Sequence, residues 1–440
     1  AIATRAERGD AEFALAYRAS RPAAAPSRAP REHLVRAEEL ADAAGQLGRR
    51  LAQRVAPGSA PAPPLSESFS DDPLLNRLYA TGVQRLRRSG EAGCPYFRVC
   101  LDQDPSFLKA REMLAECLSQ GSSEGAYDEA EGLWNEVVDQ ARKLGDRHLE
   151  AEASLDLGLL AVRRGRWAEA EGSLTAALEI FEDLGDAYYT TNALIAFSDL
   201  RSRRGGIEEA EGYLRRALEI SEREQNDELT ARSLHGLGVI ASMRWRLDES
   251  LDLLQRALDL ERSSVGLRHM EVNTLNSLGL VLPYLGRFEE AREALLEAQT
   301  LARRLGNARL EATITSSLGN VELHLDSLES AASYFAASVA LFEQLENPAG
   351  AAYPSTNLAI ALAKLGRHDE GRPHLELAIE HFLPDDVAVL YARGLYALAD
   401  GDGAGAVELL EKAKGLSGPE GWSEEDEEIL RDARRARRSP

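Results

Sequence analysis

Between Leu157 and Ile180 the chain reads LGLLAVRRGRWAEAEGSLTAALEI, and the landmarks of that stretch return at a nearly fixed interval. The Leu157-Gly158 pair has counterparts at Phe197-Ser198, Leu237-Gly238, Leu278-Gly279, Leu318-Gly319 and Leu358-Ala359, in steps of 40, 40, 41, 40 and 40 residues. A small residue after the large one, a turn such as Gly165-Arg166-Trp167, and a closing Ala177-Leu178-Glu179-Ile180 mark each copy as a helix, a tight turn and a second helix. One such hairpin cannot bury its apolar face alone, so it stacks on its neighbours. The chain is therefore expected to be an all-α solenoid.

At 44% hydrophobic and 28% charged residues, rich in Ala, Leu, Glu and Arg, the chain can bury a core and is not a disordered polymer. No run of about 18 apolar residues occurs, and Ala1 begins no signal-peptide pattern, so no membrane contact and a cytoplasmic location are expected. A start on Ala1 rather than Met suggests a piece of something longer. The formal charge of −22 repels phosphate backbones, and the main body is not expected to bind nucleic acid. Only the ends lean the other way, at the Arg-rich residues 1–56 and the run RDARRARR from Arg431 to Arg438. Cys94, Cys100 and Cys117 are odd in number and lack a CxxC spacing, which predicts free thiols in a reducing compartment.

Taken in order, residues 1–69 read as N-terminal helices and Pro/Ala-rich linkers. A short helix is expected over 1–19 around Phe13, Leu15 and Tyr17, then a linker from Arg21 to Arg31. An amphipathic helix follows from Glu32 to Val55, and a second linker from Ala56 to Pro64. Divergent lead-in hairpins fill 70–126, with helix starts at Asp72-Pro73 and Asp104-Pro105. The strict period occupies 127–415. Its inter-repeat turns are Leu144-Gly145-Asp146, Leu184-Gly185-Asp186, Gln225-Asn226-Asp227, Leu305-Gly306-Asn307 and Leu345-Glu346-Asn347. In them a Gly or Asn can end one helix in the left-handed conformation, and an Asp or Asn can cap the next. The extra residue of the longer step falls near Ser264-Val265-Gly266, and Pro384 with the Gly401-Asp402-Gly403 turn compresses the hairpin Val387 to Ala413. Residues 416–440 read as a capping helix, opening at Ser423, and a basic tail.

Leu-Gly early in helix A, Gly-Arg-x-x-Glu-Ala at the turn and Ala-Leu-x-Ile late in helix B resemble tetratricopeptide repeats over about residues 70–415. The 40-residue period departs from the usual 34 and is similar to the longer-helix variety of bacterial regulators and peptide-binding adaptors. The resemblance implies a right-handed α-α superhelix whose A helices line a concave groove. The segment Asp72-Pro73 through Phe107 also looks like the start of repeat regions in kinase-linked or transcription-regulator-linked signalling proteins.

Catalysis finds no footing. There is no GxxxxGK[ST], HExxH, GxSxG or strand-borne GxGxxG, and His368, His374 and His381 are six and seven apart, which does not place a pair on one helix face one turn apart as metal ligation would favour. No enzyme activity, metal or cofactor is expected. The acid pairs Asp128-Glu129 and Glu289-Glu290 start B helices, where the helix dipole favours them.

Counting from each Leu-Gly pair, the resemblance assigns four ladders to the groove. Five residues before the Leu stand Glu152, Asn192, Arg232, Asn273, Thr313 and Tyr353. Two before it stand Leu155, Ile195, His235, Asn276, Ser316 and Thr356. Two after come Leu159, Asp199, Val239, Leu280, Asn320 and Ile360, and six after come Arg163, Arg203, Met243, Tyr284, His324 and Lys364. A face meant only for packing is apolar and a solvated one mostly charged, so this mixture points to a protein or peptide ligand. The asparagines offer amides to a peptide backbone, Arg163, Arg203 and Lys364 can meet its carboxylates, and Tyr284 and Tyr353 are rigid anchors. Pro283 late in an A helix and Trp245 in place of the turn Gly read first as a tolerated kink and a packed aromatic, with a partner contact as the alternative for either.

The expected role is thus a non-catalytic peptide-binding scaffold or sensor in a bacterial regulatory protein. Two alternatives stand beside it: a regulatory or substrate-recruiting region of a larger enzyme such as a Ser/Thr kinase, and a homo-oligomer formed through the N-terminal helix.

Overall fold

A computed structural model of the protein describes residues 70–121, 123–264, 266–382, 385–417 and 422–437, together with three short backbone segments near the N-terminus. Both linkers, most of the Glu32 to Val55 segment with its proposed oligomer contact, Val265, Pro384 and Arg438 lie outside the described residues. The chain divides into two compact units, Ala1–Gly206 and Ile207–Pro440.

In the first unit β1 (Ala3–Arg5), β2 (Glu12–Ala16) and β3 (His33–Arg36) form an antiparallel sheet in the order β1-β2-β3, which corrects the helices expected over 1–19 and at the start of 32–55. The spacing of Phe13, Leu15 and Tyr17 is a period of two, which fits a strand better than a helix. The helices are α1 (Pro73–Ser89), α2 (Cys94–Gln103), α3 (Leu108–Ser119), α4 (Glu124–Leu144), α5 (Arg147–Arg163), α6 (Trp167–Leu184) and α7 (Ala187–Arg203). Asp72 caps α1 as expected, its Oδ1 accepting from Leu74 N at 2.8 Å. Asp104, in contrast, turns back onto Ser106, so the next helix begins at Leu108 and not at Pro105. Cys94 and Cys117 are joined in a disulfide between α2 and α3, and only Cys100 is a free, buried thiol. This corrects the expectation of three free thiols. Spacing along the chain could not show it, because the two sulfurs meet only once the hairpin has closed.

The second unit contains α8 (Ile207–Arg223), α9 (Asp227–Met243), α10 (Leu247–Ser263), α11 (Glu271–Val281), α12 (Phe288–Leu305), α13 (Ala308–His324), α14 (Leu328–Gln344), α15 (Pro348–Lys364), α16 (His368–His381), α17 (Val387–Ala399), α18 (Gly403–Ser417) and α19 (Glu424–Ala436). At Pro283 the α-helix gives way to a 3-10 turn over Leu282–Leu285, since proline lacks the N–H that the helix would use. Ser423 and Asp426 close a capping box at the start of α19.

The Leu-Gly landmark has a packing cause. A Cβ placed on Gly158, Gly238, Gly279 or Gly319 would come within 2.3–2.7 Å of Leu174, Leu254, Leu295 or Phe335 respectively, always the side chain sixteen positions later on helix B. The missing Cβ lets a large B-helix residue nest against the A-helix backbone, and all four nested side chains are fully buried. Ser198 and Ala359 keep the same position small in the other two copies.

The capping prediction also holds at residue level. Asp146, Asp186, Asn226, Asn307 and Asn347 each accept a hydrogen bond from the backbone N–H three residues on. The left-handed residue before the cap is Gly145, Gly185 or Gly306 in three cases, but Gln225 and Glu346 take it in the others, so a Gly or Asn is not required there.

Candidate functional site

In the second unit neighbouring A helices are joined by a seam of side-chain hydrogen bonds. His235 Nε2 lies 3.0 Å from Ser277 Oγ, Ser317 Oγ donates to Asn276 Oδ1 at 2.8 Å, and Asn357 Nδ2 donates to Asn320 Oδ1 at 3.0 Å. Asn320 Nδ2 in turn donates to Tyr353 Oη at 3.2 Å. The asparagine ladder is therefore half spent on holding helices together, and the residue immediately before each Leu is the partner: Ser277 of His235, Ser317 of Asn276 and Asn357 of Asn320. Those positions were missing from the four ladders. Small polar residues beside a Leu carry no sequence signal of their own, and only the 40-residue register reveals them. Burial of His235 pushes its imidazole down to about 4. Ser316 and Thr356 are buried, so the ladder two before the Leu lies largely between helices.

What remains open is aromatic. Trp245 (47% exposed), Tyr284 (53%) and Tyr353 (49%) stand on this face with Met243 and Leu280. Trp245 packs edge-on against Tyr284 with ring centroids 5.2 Å apart, and Tyr284 against His324 at 5.0 Å. Asn273 is exposed. Trp245 has φ 56°, the left-handed turn position that Gly286, Asp326 and Gly366 fill in the other repeats of this unit. For a residue with a Cβ that conformation costs about 1–2 kcal/mol.

The cations expected to receive a peptide's carboxylates are already engaged. Arg163 Nη1 donates to Ser119 O at 2.5 Å, Arg203 Nε lies 2.9 Å from Asp199 Oδ1, and Lys364 Nζ lies 2.8 Å from Glu425 Oε1 of the last helix. Arg232 and Asn192 are half-buried and also carry interactions.

The first unit presents acids instead. Glu112 and Glu116 share one stripe of α3, and His148, Glu152 and Asp156 one stripe of the adjacent α5. His148 is held between Asp186 and Glu152, at 3.1 and 3.7 Å, and these two carboxylates push its imidazole up to about 10. Tyr189 Oη donates to Glu152. Burial, and then the charges of Glu116, Glu152 and Glu112, push the Asp156 carboxyl up to about 8.

The paired acids at B-helix starts are structural. Asp128 lies 2.6 Å from Arg164 and Glu129 2.5 Å from Arg98, while Glu289 and Glu290 pair with Arg292 and Arg287. Among the described residues no group of three or more His, Cys, Asp or Glu side chains is arranged to hold a metal ion, and no helix is long and apolar enough to cross a membrane.

Glu261 makes one pH-dependent contribution to stability. It is buried at the end of α10, accepts from Thr274 Oγ1 at 2.9 Å, and leaves its Oε2 without a hydrogen bond. Burial raises its carboxyl to about 7, so the folded state holds this proton more tightly than the unfolded chain does. The stabilisation is complete below about pH 4.5 and is lost as pH rises to about 7, on the order of 3 kcal/mol in all. Glu261→Gln is expected to gain that amount over wild type at pH 8 and little at pH 4, measured by urea unfolding. The comparison must be with wild type, since His235 acts oppositely as pH falls from about 6.5 to about 4. An equal effect at both pH values would refute the assignment.

Models of the tetratricopeptide repeat family match residues 110–183, 189–263, 270–344 and 356–420. The chain belongs to the tetratricopeptide repeat family. Repeats of this family serve in general as protein-interaction scaffolds. Among solved structures the chain is similar to a Rap protein complexed with competence and sporulation factor, at 16% identity over 83% of this chain and 96% of that one, TM-score 0.54. It is likewise similar to the apo form of the quorum sensor NprR from B. thuringiensis, at 15% identity over 78% and 96%, TM-score 0.54. At these identities the likeness shows the shared helical-hairpin fold. No curated protein matches the sequence.

Proposed function

We propose that this tetratricopeptide repeat chain is a non-catalytic, peptide-binding part of a bacterial regulatory protein, with the peptide lying along the A helices. The observation that carries the reading is Trp245. A glycine there would relieve the backbone, yet a half-exposed indole is kept in a costly conformation, stacked edge-on with an exposed tyrosine on a family-typical binding face. Exposed aromatic clusters of this kind dominate the energetics of protein interfaces. The regulatory setting is the further part of the proposal, in keeping with a fold shared with a quorum sensor.

Trp245→Gly separates recognition from packing. It removes about 1–2 kcal/mol of backbone strain and about 0.5–1.5 kcal/mol of aromatic contact, so stability is expected to stay within about 1 kcal/mol of wild type. Linear peptides selected by phage display on the wild-type protein are expected to bind the variant at least ten-fold more weakly. A variant that loses more than 2 kcal/mol of stability, or that binds the selected peptides unchanged, sinks the reading.

A further inference from the structure

We infer that the junction between α10 and α11 is a pH latch on the A-helix face of the second unit: a proton on Glu261 holds the first turn of α11 in place, and its loss lets that turn open. The latch itself goes beyond the peptide-binding reading above, and its effect on a ligand rests on that reading.

Repeat register singles out Glu261. Its counterparts on the other B helices are Ala141, Phe181, Ser221, Ala302 and Phe342, all buried, so a core position that is otherwise apolar or small carries a carboxyl in this repeat alone. Glu261 is 1% exposed; its Oε1 accepts from Thr274 Oγ1 of α11 at 2.9 Å, and its Oε2 is buried with no hydrogen-bond partner. Thr274 in turn stands where the other A helices have Ala153, Ala193, Ser233, Ile314 and Pro354. The polar contact across the two helices is therefore peculiar to this junction. A neutral carboxyl is far less costly in such a place than a carboxylate.

The start of α11 is also loosely secured. It begins seven residues before its Leu landmark, whereas α9, α13 and α15 begin ten before theirs. Met270 gives it no side-chain cap, while Asn226, Asn307, Asn347 and Asp386 cap α9, α13, α15 and α17. Glu271 stands in this uncapped first turn, itself 6% exposed, and its charge opposes ionisation of Glu261. Arg262, the cation that acts on Glu261 from its own helix, is shared: its Nε lies 3.7 Å from Glu271 and its Nη2 2.7 Å from Glu297 of α12. From α9, Asp227 accepts from Ser264 Oγ at 3.2 Å, and in the turn between the helices His269 lies against Gly266 O.

Loss of the proton thus sets two buried carboxylates on opposite sides of one contact, one of them with an oxygen that no donor reaches. Lifting the first turn of α11 lets water in and relieves both costs. With an ordinary value of 4.5 in water and about 7 in the closed junction, the opening constant rises about ten-fold from pH 6 to pH 8. The same helix carries Asn273, Asn276 and Leu280 and runs on into Tyr284, so its loosening reaches the face on which a peptide would lie.

The test is amide hydrogen exchange of the full chain without ligand at pH 6 and pH 8, each corrected for the intrinsic exchange rate and read by mass spectrometry. Protection over residues 271–276 is expected to fall about ten-fold at the higher pH in the wild type, while protection over α13 stays level. Glu261→Gln should remove the difference. Glu261→Ala, which places at 261 the residue found at 141 and 302, is read the same way if glutamine disturbs the contact. Equal protection of 271–276 at the two pH values overturns the latch, and so does a pH dependence that survives both substitutions, since it would then belong to another group such as His269. The effect on a ligand is read with linear peptides selected on the wild type at pH 6. They are expected to bind at least about three-fold more weakly at pH 8, and equally at the two pH values in Glu261→Gln. Exchange that responds to pH while peptide affinity does not overturns the link between latch and face and leaves the peptide-binding reading standing. A chain that binds no selected peptide at either pH overturns that reading, and the latch is then decided by the exchange alone.

Discussion

Phe335→Ala is expected to lower the stability of the second unit by about 3–5 kcal/mol, the range for a large aromatic side chain removed from a packed core. Phe335 is fully inaccessible and sits among Ala331, Ala332, Val339, Leu358, Ala361 and Leu362. Its ring also fills the space left open by Gly319, where an added Cβ would come 2.7 Å from Phe335 Cε1. The converse change, Gly319→Ala, overpacks the same contact and is expected to cost about 1–3 kcal/mol. Because the two positions share one contact, Gly319→Ala with Phe335→Leu should cost less than the sum of the single changes. Urea unfolding followed by circular dichroism measures all of these. A loss below 1 kcal/mol for Phe335→Ala would mean that the nested side chain is not the unit of packing.

The second large effect belongs to the Cys94–Cys117 bond, which spans 23 residues. Constraining an unfolded loop of that length is worth about 3 kcal/mol, so Cys94→Ser with Cys117→Ser should destabilise the first unit by about that amount under non-reducing conditions. In reductant the variant and the wild type should converge. A direct check is the thiol count of the denatured, unreduced chain: one reactive thiol is expected, from Cys100, rising to three after reduction. Three thiols before reduction would dismiss the bond. Such bonds persist in oxidising surroundings, so the same count bears on the reducing compartment that the cysteine spacing suggested.

The fold could be read from the chain because its cause is local and repeated. One open position on helix A and one large residue sixteen later on helix B recur at a fixed step, and the caps at Asp146, Asp186, Asn226, Asn307 and Asn347 mark the junctions. Tyr284 and Tyr353, assigned to the A-helix face from the repeat register, are exposed. The chemistry of that face was not legible. Asn276 and Asn320 are drawn into bonds with the next helix, and Arg163 is drawn to a carbonyl of an earlier one, through contacts about 33 to 44 residues apart that no single repeat displays. Asp156 escaped notice because its counterparts are Ala196, Gly236, Ser277, Ser317 and Asn357, so its acidity is peculiar to one repeat. The strands at Glu12–Ala16 and His33–Arg36 were missed where a short apolar run fits either period.

The sixteen-residue interval between Gly158 and Leu174, or Gly319 and Phe335, also bears on how the chain comes to be folded. The contact that closes each hairpin joins residues close in sequence, so the loop entropy to be overcome is small and the same in every repeat. No distant segment has to arrive first. A growing chain can complete one hairpin as soon as its second helix emerges, and each finished hairpin then offers the next a surface on which to settle.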